Sequence, residues 1–311
     1  MAAFCSLLFL AQNSYVISWF VNMNFMMQLR DFKSILSNYK IVFFDSYGVL
    51  RNYNGLIPGI EQTFLWLGAQ QKNYYVITND ASRSPSLLEA SFHKSGLKNI
   101  TEPKIISSGM LAKEFLELKV KEGIVAYLGT ENSAHYIEHA GLEAVPICKL
   151  TSADMEKVKA LVLLDDEGFD WFEGINKAVN LLRGRAIPAI VANADGAYPV
   201  SKKEIGVAIG GLSWMIEKIS GRKFIRFGKP DSQIFMFAWE IAKKQFPDLQ
   251  KKDVLMVGDT LHTDILGGNK FGFDTALVLT GNIRPEDAET HILSSGIMPT
   301  YICESAVVDM W

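Results

Sequence analysis

The chain has 311 residues, enough for two domains of ordinary size, and 49% of them are hydrophobic, as in a globular protein with a large core. Its 31 basic and 34 acidic residues give a formal net charge of −3, which provides no basic field for binding nucleic acid. The three cysteines form no metal-type pair and leave one unpaired in any disulfide scheme, so we expect a reduced, cytoplasmic protein.

The first 28 residues, MAAFCSLLFLAQNSYVISWFVNMNFMMQ, form an apolar N-terminal extension. No basic residue precedes Arg30, polar residues interrupt the apolar run, and it lacks a clear small-residue cleavage site. These features fit a membrane segment or a signal peptide less well than a globular protein that starts near Met27. We therefore expect no stable membrane association, although a membrane anchor stays open as an alternative.

From Leu29 onward, apolar runs alternate with amphipathic windows. The apolar runs are rich in Val, Ile and Leu without strict alternation, which predicts strands that are buried on both faces. In chain order, the predicted strands are 40–45, 74–79, 123–129, 159–165, 187–193, 253–259 and 274–280. The predicted helices are 59–69, 84–95, 107–119, 131–140, 171–183, 206–219, 231–245 and 285–294. This order predicts an α/β fold with a mostly parallel sheet, which binds ligands beyond the carboxyl ends of its strands.

Polar residues stand at the ends of four predicted strands: Asp45, Thr78 with Asn79, Asp165 and Asp259. Any one of them is as easily explained as a helix N-cap or a turn former. Asp264 changes this interpretation for the last strand, because it places a second carboxylate five residues after Asp259, where capping needs only one. We therefore expect a functional site at this edge of the sheet.

Four segments then suggest a family: FFDSYGVL, VITNDAS, FGKPD and VLMVGDTLHTDILGG, in that order. They resemble the four signature motifs of the haloacid dehalogenase-like (HAD) hydrolase superfamily, over about residues 38–300. The region from GKPD onward is similar to subgroup IIA, which includes p-nitrophenyl phosphate, phosphoglycolate and pyridoxal phosphate phosphatases. The resemblance implies a small phosphate ester as substrate, and it makes a homodimer through the inserted domain plausible.

The same resemblance implies a domain organisation. A Rossmann-like parallel core would comprise residues 29–120 and 224–311, and an inserted α/β cap domain of the C2 type would comprise residues 121–223. The stretch between Asn79 and Lys229 is too long for a simple crossover connection and is ample for a domain. Such a cap would close over the core and exclude water.

Phosphoryl transfer needs a nucleophile, positive charge and hydrogen-bond donors, and the motifs offer all three. The resemblance implies that Asp45 forms an aspartyl-phosphate and that Lys229 neutralises it. Asp45 and Asp259 would repel each other, so together they imply a shared cation, and oxygen ligands with a phosphate substrate favour Mg²⁺. The backbone carbonyl of Tyr47 would be a third ligand, and Asp264 would hold a water bound to the metal.

Substrate contacts are expected from two segments. Thr78 offers a hydroxyl, and the backbone N–H groups after it, beginning with that of Asn79, offer further donors to phosphate oxygens. The segment VANADGAYP resembles the part of the cap that reaches toward the substrate in this subgroup, which makes Asn193 and Asp195 candidate substrate contacts. Asn-Ala-Asp-Gly is equally typical of an ordinary turn.

Tyr47 departs from the family pattern, because the phosphatases carry an aspartate there that serves as general acid and base. A phenol with an ordinary pKa of about 10 is a poor base near neutral pH. Three interpretations stay open: a specialised Mg²⁺-dependent phosphatase, a metal-free dehalogenase-type hydrolase that shares the D-x-Y-G start, or a weak phosphate-ester-binding protein. The intact GDTLHTD segment and the long insertion favour the first. Asp80 is a smaller departure, and its carboxylate could weaken phosphate binding or bind a cation.

Overall fold

The computed structural model describes residues 28–201 and 204–309. The predicted N-terminal extension at 1–28 therefore lies, except for Gln28, outside the described residues. Within the described residues, no helix has the length and apolar character that a membrane crossing requires.

Strands and helices alternate along the chain, which confirms the predicted α/β class. The strands are β1 (Ile41–Phe44), β2 (Arg51–Asn52), β3 (Gly55–Leu56), β4 (Asn73–Thr78), β5 (Ile105–Ser107), β6 (Ile124–Leu128), β7 (Glu143–Pro146), β8 (Val158–Leu163), β9 (Ala189–Val191), β10 (Ala197–Pro199), β11 (Ile205–Val207), β12 (Ile225–Arg226), β13 (Val254–Gly258), β14 (Asp274–Val278) and β15 (Tyr301–Cys303). The helices are α1 (Phe32–Leu36), α2 (Ile60–Ala69), α3 (Pro85–Ser95), α4 (Ser108–Phe115), α5 (His135–Glu138), α6 (Ser152–Met155), α7 (Trp171–Gly184), α8 (Ile209–Ser220), α9 (Ser232–Gln245), α10 (Leu266–Phe271) and α11 (Ala288–Ser295).

Two predicted helices are wrong in extent. The window 131–140 contains only the four-residue helix α5, preceded by turns. The window 206–219 begins with β11, so its helix starts at Ile209. In both windows the apolar spacing is compatible with a helix, but local turn and strand contacts decide the backbone.

The helix boundaries follow from local chemistry, as α3 shows. The hydroxyl of Ser84 accepts a hydrogen bond from the Leu87 N–H at 3.2 Å, and Pro85 occupies the first helical position. The helix ends at Gly96, whose φ of 110° is a left-handed conformation that glycine adopts without strain. These contacts at the two ends of α3 help to fix the helix and the loop that joins it to the carboxyl end of β4.

The first sheet has six strands in the order β15-β14-β13-β1-β4-β5, and every pair in it is parallel. From β1 the chain first builds the sheet toward β5 and later returns to build it from β13 toward β15. The crevice between the carboxyl ends of β1 and β13 is therefore a topological switch point, the usual ligand site of such sheets.

The strand β1 is buried on both faces. Ile41 and Phe43 belong to one apolar cluster, and Val42 and Phe44 belong to the cluster on the opposite face. All four side chains are at most 1% exposed. Burial of side chains of this size contributes about 1.5–3 kcal/mol each, which holds the end of β1 and the loop after it firmly in place.

A second sheet has five parallel strands in the order β12-β9-β8-β6-β7. One apolar cluster extends from Phe43 in the first sheet through Leu111 of α4 to Tyr127 and Val162 in the second. We propose that this second unit is the inserted domain predicted at 121–223, with its last strand reaching Arg226. It is called the cap below.

A short antiparallel hairpin, β10–β11, belongs to the same part of the chain. Its residue Tyr198 donates a hydrogen bond to Asp166 Oδ2 at 3.1 Å, which ties the hairpin to the loop after β8. The carbonyl of Pro199 accepts a hydrogen bond from the phenol of Tyr47 at 2.8 Å. The hairpin thus connects the cap to the switch point of the first sheet.

Candidate active site

The ends of β1 and β13 bring the predicted carboxylates together. Asp45 directly follows β1, and its N–H donates to the carbonyl of Val257 in β13 at 2.8 Å. Asp259 directly follows β13 and is 1% exposed, while Asp264 lies five residues further and is fully buried. The sequence thus places three acidic side chains at the switch point because the two neighbouring parallel strands end there.

Lys229 supplies the positive charge at this point. Its Nζ lies 2.5 Å from Asp45 Oδ1 and 2.7 Å from Asp264 Oδ1, and the residue is 2% exposed. Burial lowers the pKa of Lys229, but the carboxylates of Asp264 and Asp45 outweigh burial and leave the pKa raised. The ammonium group therefore stays charged and holds the two carboxylates in place.

The carboxyl groups of Asp45 and Asp259 have raised pKa values. Burial, with the charges of Asp264 and Asp259, raises the pKa of Asp45 well above its ordinary range, although Lys229 opposes the shift. Burial and the charge of Asp264 raise the pKa of Asp259 to about 7. A site of buried acids with raised pKa values favours the binding of positive charge, because a cation stabilises their ionised forms.

Asp259 sits in a close-fitting pocket of backbone. Its Oδ2 accepts a hydrogen bond from the N–H of Asn282 at 2.6 Å, and its Oδ1 accepts one from the Thr260 hydroxyl at 3.1 Å. A Cβ atom added at Gly48 or at Gly281 would overlap the Asp259 carboxylate, far inside van der Waals contact. Glycine at these two positions is thus required for the carboxylate to reach the switch point.

The described residues fit a divalent cation. Asp45, Asp259 and Asp264 each offer a carboxylate oxygen, and these oxygens lie within 4.8 Å of one another. Magnesium binds oxygen ligands at about 2.0–2.1 Å, so ligands on opposite sides of one ion are about 4.2 Å apart. The donor set and its spacing suit one hard cation shared by at least two of these acids.

Asn79 organises the loop opposite the carboxylates. Its Nδ2 donates to Asp195 Oδ1 at 2.9 Å and to the Lys229 carbonyl at 3.0 Å, while its Oδ1 accepts from the Lys229 N–H at 2.7 Å. Both protons of the Asn79 side-chain amide are therefore used within the protein, and the predicted donation from the backbone N–H groups after Thr78 to substrate stays a prediction. Thr78 accepts from the Asp80 N–H at 3.1 Å through its hydroxyl oxygen, which leaves the hydroxyl proton for another acceptor.

The cap segment at Asn193 and Asp195 forms a turn, which is one of its two alternatives, and its contact with substrate stays a prediction. The side chain of Asn193 accepts a hydrogen bond from the Asp195 N–H at 2.9 Å, which is an Asx turn. Asp195 also reaches Asn79 in the first sheet, and burial raises the pKa of its carboxyl. The turn therefore positions a cap carboxyl beside the switch point.

Tyr47 contacts the cap through its phenol, as described above, and lies in the loop directly after β1. Burial raises the pKa of Tyr47, so the phenol stays protonated near neutral pH and can donate its hydrogen bond. This state differs from that of a general base. The metal contact expected from the Tyr47 carbonyl stays a prediction.

A cavity of about 540 Å³ opens between the first sheet and the cap. Six of the predicted site residues line it: Asp45, Tyr47, Thr78, Asn79, Asn193 and Asp195. A smaller neighbouring cavity of about 340 Å³ shares Asp45, Tyr47 and Asp195 with it and is also lined by Lys229 and Asp259. Asp264 is among the lining residues of neither cavity.

Sequence reasoning missed several lining residues. Four residues line the larger cavity although no sequence pattern identifies them as site residues: Arg51, Asp166, Glu167 and Tyr198. Asp165 also lines it, and the sequence indicates that residue only as the polar end of a strand. Asp166 and Glu167 follow β8, a position that many surface residues share, whereas Arg51 and Tyr198 lie within the short strands β2 and β10, which the sequence did not predict. Asp80, in turn, accepts hydrogen bonds from the N–H and hydroxyl of Ser82 at 2.9 and 2.6 Å and lies 3.9 Å from Arg51.

Comparisons with known proteins agree with this geometry. Residues 42–143 match the family model of haloacid dehalogenase-like hydrolases, and residues 226–307 match a second, HAD-hydrolase-like model. A crystal structure from Cytophaga hutchinsonii, described as a possible sugar phosphatase of the HAD superfamily, is 61% identical with a TM-score of 0.88 and covers 91% of this chain and 100% of that chain.

Two further relatives are more distant. The p-nitrophenyl phosphatase of Archaeoglobus fulgidus is 26% identical with a TM-score of 0.73, covering 86% of this chain and 97% of that chain. Human chronophin is 28% identical over 280 residues, which is 88% of this chain and 93% of chronophin. These likenesses extend over both sheets.

Proposed function

Because this chain belongs to the haloacid dehalogenase-like hydrolase family, we propose that it is a Mg²⁺-dependent phosphatase that hydrolyses small phosphate monoesters through an aspartyl-phosphate. The observation that carries the proposal is the contact of 2.5 Å between the Asp45 carboxylate and the buried Lys229 ammonium, at the switch point beside Asp259. The names of the relatives, which include phosphatases, support the same class of reaction.

In the first step, a carboxylate oxygen of Asp45 attacks phosphorus, and the bond between phosphorus and the ester oxygen breaks. Lys229 neutralises charge on Asp45 and on the phosphoryl oxygens, and the Thr78 hydroxyl donates to one of those oxygens. The departing alcohol takes its proton from water, because position 47 carries no carboxyl group. Leaving groups that need little protonation should therefore react fastest.

In the second step, water attacks phosphorus, the bond between phosphorus and Asp45 breaks, and inorganic phosphate leaves with the carboxylate restored. No carboxylate at position 47 activates this water, and general base help is typically worth about 10²–10⁴ in rate. We expect slow breakdown of the phosphorylated protein as a result.

Asp45 and Asp259 would hold Mg²⁺, with the Tyr47 carbonyl as a further ligand and with Asp264 orienting a metal-bound water. The ion would stabilise negative charge on the phosphoryl oxygens. Without such an ion, an incoming phosphate would meet two buried carboxylates and only one lysine to offset their charge. A metal-free site is therefore poorly suited to a phosphate ester. The dehalogenase alternative attacks carbon instead, and a 2-haloacid tests it.

The test compares wild type with Asp45→Asn on p-nitrophenyl phosphate, an alkyl phosphate and a 2-haloacid, each with Mg²⁺ or EDTA. Asp248→Asn, an exposed carboxyl outside both cavities, is the matched control. We expect Mg²⁺-dependent phosphate release by wild type and the control, loss of it in Asp45→Asn, and a phosphoryl group on the Asp45 peptide after acid quenching.

Three outcomes would contradict the proposal. Halide release that persists in EDTA would favour a dehalogenase. Binding of phosphate esters without any turnover would favour a phosphate-ester-binding protein. Turnover by Asp45→Asn at the wild-type rate would remove Asp45 from the mechanism.

A further inference from the structure

Polar side chains make up most of the lining of the larger cavity. Its lining includes Asp45 and Thr78 from the first sheet and the segment Asp165–Glu167 from the loop after β8 of the cap. Among the described residues, Leu164 and Ala208 are the only aliphatic ones that line it. A ligand that fills the cavity must therefore satisfy polar groups rather than bury an apolar body.

The charge of the lining is uneven. Of the residues that the structure describes, six acidic ones and two basic ones line the cavity: Asp45, Asp80, Asp165, Asp166, Glu167 and Asp195, with Arg51 and Arg83. Lys229 offsets Asp45, and Arg51 lies 3.9 Å from Asp80. Among the residues that the structure describes, none of the three carboxylates at 165–167 forms an ion pair.

These cap acids have free capacity to accept hydrogen bonds. Asp165 Oδ2 accepts one from the Thr130 hydroxyl at 3.2 Å, and its carboxylate also accepts one from the backbone N–H of Glu167. Asp166 Oδ2 accepts one from the Tyr198 phenol at 3.1 Å, and its carboxylate also accepts from the backbone N–H groups of Asp166 and Ile209. An ionised carboxylate has about four acceptor positions, so each of the two keeps at least one position for a ligand. Groups that donate, such as hydroxyl and ammonium groups, complement this wall, whereas an anion would be repelled.

A second observation marks the other side of the cavity. Ser46, next to Asp45 in sequence, lines the cavity and is 2% exposed, yet its buried hydroxyl has no hydrogen-bond partner in the described part of the protein. A buried polar group without a partner costs about 1–3 kcal/mol unless a ligand satisfies it. Ser46 therefore indicates that a polar ligand group is accommodated beside Asp45.

We propose that this protein selects phosphate monoesters of polyhydroxylated or amino-bearing alcohols, such as sugars and amino sugars, and discriminates against esters that carry a second anionic group. The phosphoryl group lies beside Asp45 and Ser46, and the hydroxyl or ammonium groups of the leaving alcohol donate to Asp165 and Asp166. This inference rests on the proposed phosphatase function and specifies its substrate class.

Three substrates of similar size test it: glucose 6-phosphate, glucosamine 6-phosphate and 6-phosphogluconate. They present a neutral, an ammonium-bearing and a carboxylate-bearing leaving group. We expect kcat/KM for the first two to exceed that for 6-phosphogluconate at least about tenfold, since like charges placed together in an interface cost several kcal/mol. In the double variant Asp165→Asn with Asp166→Asn, this preference should fall at least about fivefold.

The matched control is Glu143→Gln, which changes an exposed cap carboxyl that lines neither cavity described above and should leave the preference as it is in wild type. Calorimetric binding of glucose 6-phosphate and 6-phosphogluconate to Asp45→Asn in Mg²⁺ gives the same comparison without turnover. The single variant Asp166→Asn serves if the double variant does not fold.

Hydrolysis of p-nitrophenyl phosphate distinguishes a wrong substrate class from a wrong phosphatase function. If wild type hydrolyses it but prefers 6-phosphogluconate, or hydrolyses none of the three hexose derivatives, the substrate class is wrong while the phosphatase function stands. If p-nitrophenyl phosphate is not hydrolysed, the proposed phosphatase function is wrong. If Asp45→Asn binds glucose 6-phosphate and 6-phosphogluconate equally in calorimetry, the proposed charge preference is wrong as well. An unchanged preference in the Asn variants would remove Asp165 and Asp166 from the leaving-group contact.

Discussion

Replacing Tyr47 with Phe should weaken catalysis by removing one hydrogen bond between the switch-point loop and the cap. The phenol donates to the Pro199 carbonyl at 2.8 Å, and both residues lie at the edge of the smaller cavity. A neutral hydrogen bond of this kind contributes about 0.5–1.5 kcal/mol, which corresponds to about a 2- to 13-fold change in the equilibrium between joined and separated loops. We expect kcat/KM for p-nitrophenyl phosphate to fall by that factor.

The assay is steady-state kinetics in Mg²⁺, with thermal unfolding of each variant measured in parallel. Tyr53→Phe is the matched control, because Tyr53 is 42% exposed and its phenol has no hydrogen-bond partner among the described residues. A Tyr47→Phe rate within the error of wild type would refute the reasoning. An equal loss in Tyr53→Phe, or a fall in Tm that accounts for the lost activity, would refute it too.

The remaining predictions concern the acids and the lysine. Tyr47→Asp loses the same contact but gains an acid–base group worth about 10²–10⁴, so turnover of an alkyl phosphate should rise about 10- to 1000-fold; no rise would contradict this. Asp259→Asn should weaken Mg²⁺ binding at least about tenfold in calorimetry, whereas Asp248→Asn should bind as wild type does. Lys229→Met should lower the free energy of unfolding in urea by about 3–5 kcal/mol, because it leaves two buried carboxylates unpaired; a smaller loss than 1 kcal/mol would be unexpected. Burial raises the pKa of Asp165 from 3.8 to about 6, so ionisation of Asp165 lowers the stability of the fold as pH rises between these values. Asp165→Asn should therefore raise Tm by about 2–4 °C at pH 8 and by less at pH 4. An equal rise in Tm at both pH values would contradict this.

The sequence predicted the longer strands and the chemistry at their ends. The run at 253–259 and Asp264 located the acids after β13 because a buried parallel strand and its exit loop have a strong local pattern. Short strands such as β5, β7, β12 and β15 were missed, since two to four residues carry too little pattern to distinguish a strand from a loop. Membership of the HAD-like hydrolases, predicted from four motifs, is confirmed.

The contacts across the site could not be predicted from local pattern. Tyr47 and its partner Pro199 are 152 positions apart, and Asn79 and Lys229 are 150 apart. Asn282, whose N–H binds Asp259, gives no signal of its own in a loop after β14. Such partners depend on how two sheets and a hairpin pack together, which neither residue spacing nor charge pattern encodes on its own.

Gly48 and Gly281, which pack against Asp259, offer a rule for recognising inactive relatives in genome sequences. A sequence can keep all the acids and the lysine and still lose the proposed metal ligand Asp259 from the switch point, if Gly48 or Gly281 is replaced by a residue with a side chain, because the new Cβ would occupy the space of the carboxylate. Gly48 also has a φ of 84°, so its replacement would strain the loop after β1 as well. Screening for these two positions should separate working enzymes from their inactive descendants more sharply than screening for the charged residues alone.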